Sequence, residues 1–251
     1  MIEIQELSKK YGSFLALDQL SFEVAPGEVF GLLGANGSGK STLNKILMGL
    51  LRPTSGTVKI ASKALENDRS YLDSLGYLPE FLYLYPEMTG FEFLHFIANL
   101  KKMKNASPSI LKFLEYFGLI ESKDIFLSAY SQGMKKKIGL SAALLGSPQV
   151  LLLDEPTNGL DPVSIYLFRE IIKELKKQGK TVLLSSHILE FIEKSCDRIG
   201  ILESGKLLNL GTLSELQNQA QKPATASLEE LFMHFTGKTI APAQELFSGL
   251  L

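Results

Sequence analysis

The sequence predicts an α/β protein: a mostly parallel sheet covered by helices, an N-terminal antiparallel β subdomain ahead of it, and an α-helical subdomain inserted into it. Three observations carry this expectation. Short apolar runs at 150–153, 181–185 and 198–202 alternate with helical stretches, which favours a parallel sheet buried on both faces. The glycine-rich segment GANGSGKS at 34–41 stands between a strand-like run and a helical one, the order a phosphate-binding loop requires. Between about 86 and 146 the strand-like runs give way to apolar residues at helical spacing, Phe91, Leu94, Ile97 and Ala98, then Leu111, Leu114 and Phe117.

Taken in order, residues 2–7 and 16–24 are β-like runs beside turn signals at Tyr11-Gly12-Ser13 and Ala25-Pro26-Gly27, which predicts the small, mostly antiparallel sheet. Residues 28–33 follow as a strand, then the glycine-rich loop, then a helix over 42–50 that Arg52-Pro53-Thr54-Ser55-Gly56 stops. After the helical subdomain, strand and helix alternate from Val150 onward. Beyond Gly211 the segment 214–227 is polar and Ala/Gln-rich, and 228–235 reads as a short amphipathic helix. These features divide the chain into one domain over 1–220 and a short C-terminal helical tail over 221–251. Neither an internal repeat nor a sustained heptad pattern is present.

Composition narrows the function. The 251 residues are 45% hydrophobic, enough for a substantial core. Lys and Arg number 26 against 27 Asp and Glu, so no global basic field exists to hold nucleic acid through its phosphates. The single cysteine, Cys196, cannot close an internal disulfide, and the first residues lack a basic-then-apolar leader pattern; both predict a cytoplasmic protein. No window approaches the roughly 20 apolar residues that span a bilayer. A membrane role would need another chain.

The chemistry concentrates in two places. In the loop, Gly34, Asn36, Gly37, Ser38 and Gly39 let backbone amides approach phosphate oxygens, while Lys40 adds a point charge for the β- and γ-phosphates. Ser41 offers a hydroxyl to Mg²⁺, Thr42 follows it, and the helix that begins at Ser41 adds the positive end of its dipole. In VLLLDEPTNGLDP at 150–162, an apolar strand ends in adjacent carboxylates. Asp154 is placed to meet the metal and Glu155 to polarise an attacking water. Asp161-Pro162 reads as a helix cap with Pro at the first helical position. His187 follows TVLLSS, so it falls at the carboxyl end of a parallel strand and is assigned to the γ-phosphate or the water. His95 and His234, in apolar helical settings, read as structural.

With GANGSGKST at 34–42, YSQGMKKK at 130–137, LLLDEPTNGLDP at 151–162 and His187 in this order, the chain resembles the nucleotide-binding subunits of ABC transporters, from Ile2 to about Gly211. The resemblance implies a P-loop NTPase core, ATP and Mg²⁺ as cofactors, and ATP hydrolysis as the activity. Its implied partners are a second ATP-binding subunit, identical or closely related, and a separate multispanning permease that holds the chain on the cytoplasmic face of the membrane. Ser131 and Gly133 match the loop that closes over the partner's γ-phosphate, Asp161 the loop through which the two sites sense each other, and Tyr11 the aromatic that stacks on adenine.

Two positions depart from the family. Gln132 stands where a glycine is usual, which leaves the close backbone approach to Gly133. Glu80, in GYLPE, replaces a glutamine; it can still ligate Mg²⁺ but donates no amide hydrogen bond. GYLPE and the methionine at Met134 are similar to a subgroup that energises export permeases. Lys135, Lys136 and Lys137 read as a solvated helix face. The cluster Phe81, Tyr83 and Tyr85 reads either as packing of the helical subdomain or as a groove for a permease helix. A soluble ATPase of the same family, remodelling a ribosomal or nucleic-acid complex, is the alternative; such relatives usually carry two cassettes or a coiled-coil insertion, and this chain has neither.

Overall fold

The computed structural model describes residues 1–65 and 69–238; expectations for the end of the tail, 239–251, lie outside the described residues. Its strands are β1 (Ile2–Tyr11), β2 (Phe14–Val24), β3 (Val29–Leu33), β4 (Ser55–Ile60), β5 (Lys63–Ala64), β6 (Leu75–Leu78), β7 (Val150–Asp154), β8 (Thr181–Ser186), β9 (Arg198–Glu203) and β10 (Lys206–Gly211). Its helices are α1 (Lys40–Leu47), α2 (Gly90–Leu100), α3 (Ser107–Tyr116), α4 (Gln132–Leu144), α5 (Pro162–Lys177), α6 (Leu189–Ser195), α7 (Leu213–Gln219) and α8 (Leu228–Thr236).

One sheet is antiparallel, in the order β2-β1-β4-β5; the other runs β10-β9-β3-β8-β7-β6 and is parallel except at its β9–β10 edge. The fold class is therefore the one the sequence predicts. The central strands bury both faces because successive side chains point opposite ways. Val29 and Leu33 of β3, Leu151 and Leu153 of β7, and Val182 and Leu184 of β8 enter a core shared with the helices. Phe30, Leu32, Val150, Leu152 and Leu183 enter a second core, shared with β1, β2, β4 and α1. Phe30 stacks on Phe22 at 5.1 Å, joining the two sheets. Each such buried Leu contributes about 1.5–3 kcal/mol relative to exposure, so a polar substitution in these strands would separate the layers.

The register sets the site. Asp154 lies opposite Ser185, and Leu33 lies opposite Ser186, so the ends of β3, β7 and β8 are level. The phosphate loop, Asp154-Glu155 and His187 leave the sheet from one edge.

Some elements differ from the sequence reading. The helix expected over 42–50 is Lys40–Leu47, with its N-cap at Gly39 and a left-handed Gly49 beyond its last turn. That glycine ends it by the usual left-handed route. β4, β6 and β10 went unread: each is short and carries a glycine, which masks the β pattern. Within the polar segment 214–227, α7 starts at a capping box made by Thr212 and Glu215. The chain after it wraps Gln217, whose buried amide donates to the carbonyls of Ala224 and Ala226.

Candidate functional site

The phosphate loop is built by β3 and α1. Gly39 has φ 115, a value open to glycine, and a Cβ there would lie 2.7 Å from Leu17 Cδ2. Lys40 is buried, and its ammonium donates to the carbonyls of Gly34 at 2.7 Å and Ala35 at 3.3 Å. Gly34 and Ser38 are buried beneath the loop, whereas Asn36 and Gly37 at its tip and Ser41 are exposed. Thr42 is half-buried. The buried Ser38 hydroxyl has no hydrogen-bond partner among the described residues.

The strand ends deliver the acids. Asp154 is buried and its Oδ1 accepts from the Ser185 hydroxyl at 2.6 Å; Asn44 Nδ2 donates to that same hydroxyl at 3.0 Å. Asn44 sits one turn into α1, so this chain of bonds ties the helix after the loop to the acid of β7. Glu155 is buried in left-handed backbone, with φ 43. Its Oε2 meets His187 Nδ1 at 2.9 Å and accepts from the Ser186 hydroxyl at 3.2 Å. Its Oε1 lies 3.4 Å from the Lys40 ammonium yet accepts no hydrogen bond, so that contact is a Coulombic pairing rather than a directed bond. Lys40 and His187 thus converge on the Glu155 carboxylate, and Asp154 sits one residue away.

Among the described residues no three His, Cys, Asp or Glu side chains cluster as a metal cage. Magnesium fits a sparser set, since it takes one or two carboxylates and completes its shell with water and substrate phosphates. Ser41, Asp154 and Glu80 are the oxygen donors proposed for it. Burial first, then the charges of Asp154 and Glu80, push the Tyr77 phenol of β6 up.

The remaining candidates lie apart from this network. Ser131 is exposed and caps α4, accepting from the Met134 amide at 3.2 Å. Gly133 is half-buried, and a Cβ on it would come no nearer than 3.9 Å to Leu160 and Ser131. Asp161 caps α5 and accepts from the amide and hydroxyl of Ser164, at 2.9 and 2.7 Å; these two donors hold its carboxyl below the usual range. Tyr11 is 45% exposed beside the Lys9 ammonium, 5.3 Å from its ring centroid.

One sequence reading is corrected. Lys136 is no part of a solvated face: it is buried and donates to the carbonyls of Pro79 and Glu80. Of the cluster left open between packing and a groove, Phe81, Tyr83 and Tyr85 are 69%, 92% and 53% exposed, and the Tyr85 ring packs edge-on against Phe96 of α2 at 5.8 Å. The sequence reading also missed Asn44, Ser185 and Ser186. The double serine ending an apolar strand was their only signal.

A glycine loop between strand and helix, with two acids and a histidine at one edge of a parallel sheet, defines the class of phosphate-loop nucleotide-binding proteins. The chain belongs to the ABC transporter family, whose model matches residues 17–158. It is 42% identical over 227 residues to an ABC transporter ATP-binding protein of Synechocystis, covering 86% of this chain and 64% of that one. It therefore spans just under two thirds of the length of that relative. It is 37% identical over 224 residues to the bacitracin transport ATP-binding protein of Enterococcus faecalis, covering 88% of this chain and 72% of the other. Among solved structures, an ATP-binding subunit of an ABC transporter superposes with a TM-score of 0.88 at 34% identity, covering 94% of this chain and 99% of that one.

Proposed function

We propose that this chain binds ATP with Mg²⁺ and hydrolyses it as the ATP-binding subunit of an ABC transporter, driving a separate membrane permease in export. The observation that carries the reading is the convergence of Lys40 and His187 on the Glu155 carboxylate at the mouth of the phosphate loop. The bacitracin transport relative supports the transport setting. Among the described residues no helix is long and apolar enough to cross a membrane, which is consistent with a separate permease and a place on its cytoplasmic face. The ribosomal or nucleic-acid alternative is disfavoured by these relatives and by the net charge of −1.

The residues divide the work. Gly34, Asn36, Gly37, Ser38 and Gly39 offer backbone amides to the phosphates, and Lys40 and Thr42 hold them from the helix end. Ser41, Asp154 and Glu80 would hold Mg²⁺, which would supply positive charge against the phosphates. Glu155 takes a proton from the attacking water as the water's oxygen bonds to the γ-phosphorus and the bond from that phosphorus to the ADP oxygen breaks, giving ADP and phosphate. His187, held on the same carboxylate, faces the γ-phosphate. Tyr11 stacks on adenine. Ser131 and Gly133 close over the nucleotide of a second subunit, and Asp161 faces that subunit across the interface. The exposed Phe81, Tyr83 and Tyr85 form the apolar face that receives the permease.

Glu155→Gln tests the reading. It keeps the shape of the side chain but removes the base, so the variant should accumulate as an ATP-bound dimer on gel filtration. A variant that binds ATP and stays monomeric would count against it.

A further inference from the structure

Lys136 is an ammonium in an apolar seat, a placement that costs free energy unless the charge is answered. It projects from α4 with 4% of its surface exposed, and its Nζ donates to the main-chain carbonyls of Glu80 at 3.0 Å and Pro79 at 3.4 Å. Among the described residues it makes no ion pair with a carboxylate within 4.0 Å. Burial lowers its pKa, while the charges of Asp154, Glu80 and Glu155 each pull it back up.

The face of α4 that carries Lys136 is built for close approach. One turn on, a Cβ at Gly139 would meet Leu82 Cδ2 at 2.6 Å and Leu78 Cδ1 at 2.9 Å. One further turn on, the Ala143 carbonyl comes so near β6 that a Cβ at Gly76 would lie 2.3 Å from its oxygen. Positions 136, 139 and 143 share one helix face by their spacing of three and four. That face lies along β6 and the segment leaving it, and Lys136 fastens the end nearest the site.

We infer that Lys136 is a positioning residue that locks the main chain of Pro79 and Glu80 to the helix capped by Ser131, so that Glu80 and that helix move as one piece. The inference rests on the ATPase reading for its catalytic consequence, though not for its structural one. A shift of α4 when Ser131 engages a second subunit is carried to Glu80 in its own site. An ordinary structural lysine would need only its stem; here the two carbonyl bonds and the charge are what matter.

The test uses the full chain in a Cys196→Ala background with spin labels at Tyr83→Cys and Gln132→Cys, measured without nucleotide, since Cys196 is free and partly exposed. Lys136→Met should broaden the distance distribution between the labels, and Lys136→Arg should leave it narrow. In the unlabelled chain, Lys136→Met should keep the KM for ATP within about twofold. Its kcat should fall about ten- to a hundredfold, and Lys136→Arg should restore it. Equal label distributions in wild type and Lys136→Met, or a kcat unchanged in Lys136→Met, would overturn the inference. If Lys136→Met does not fold, Lys136→Gln takes its place, since it keeps a donor and loses the charge. A wild-type chain that hydrolyses no ATP would sink the ATPase reading, and the label distances would still decide Lys136.

Discussion

The end of β7 and the start of α4 differ in what their own chain gives them. Glu155 is 3% exposed, with Oε2 bonded to His187 and Ser186 and Oε1 paired with the Lys40 charge. Ser131 is exposed, and the hydrogen bond it makes is to its own helix. A buried charged group needs its partners within the fold, because desolvation is costly. An exposed cap does not. The contrast separates a buried carboxylate held by side chains from α1 and the end of β8 from an exposed hydroxyl that bonds within its own helix.

The sharpest way to break the contrast is at Lys40. Lys40→Ala should abolish ATP binding in an equilibrium titration and lower hydrolysis by about a thousandfold, since a preorganised charge at a reacting phosphate is worth that order. Ser131→Arg probes the other region. It should leave ATP binding by the isolated chain intact while hydrolysis falls about a hundredfold, because a bulky cation then occupies the closing surface. Equal losses of binding in the two variants would erase the distinction.

The seat of α4 is next. Gly76→Val places branched carbons against a carbonyl that cannot rotate away, so denaturant unfolding should show a loss of about 1–3 kcal/mol. Gly139→Ala meets flexible leucine ends and should lose less. The smallest effect belongs to Asp161. Its folded carboxyl is held below the unfolded value, so the cap's stabilisation is complete above the ordinary aspartate pKa, about 4. It fades as the pH falls through the lowered folded value. The melting advantage of wild type over Asp161→Asn should therefore shrink between pH 6 and pH 3.

Much of this arrangement was legible in the sequence, and the reasons are local. The loop, the strand run into Asp154 and the Asp161-Pro162 start of α5 depend on residues adjacent in the chain, so motif and pattern suffice. Lys136 shows the limit. Three lysines in a row look solvated, and only the packing of α4 against β6 turns the middle one inward. Asn44 and Ser185 meet across 141 residues of sequence, a contact no local pattern encodes. The helix face bearing Gly139 was equally silent, because a glycine in a helix reads as a weakness until its neighbour's approach is known.

Glu155 is a non-glycine residue held at φ 43, where side chains other than those of Asn and Asp sit uneasily. Such a backbone stores about 1–3 kcal/mol. Screening random variants for heat resistance alone should therefore enrich Asn or Gly at position 155, yielding hardier proteins that no longer turn over. A laboratory lineage selected only for survival at temperature would drift away from glutamate at this buried position, and only a growth condition that demands its carboxylate would hold it in place.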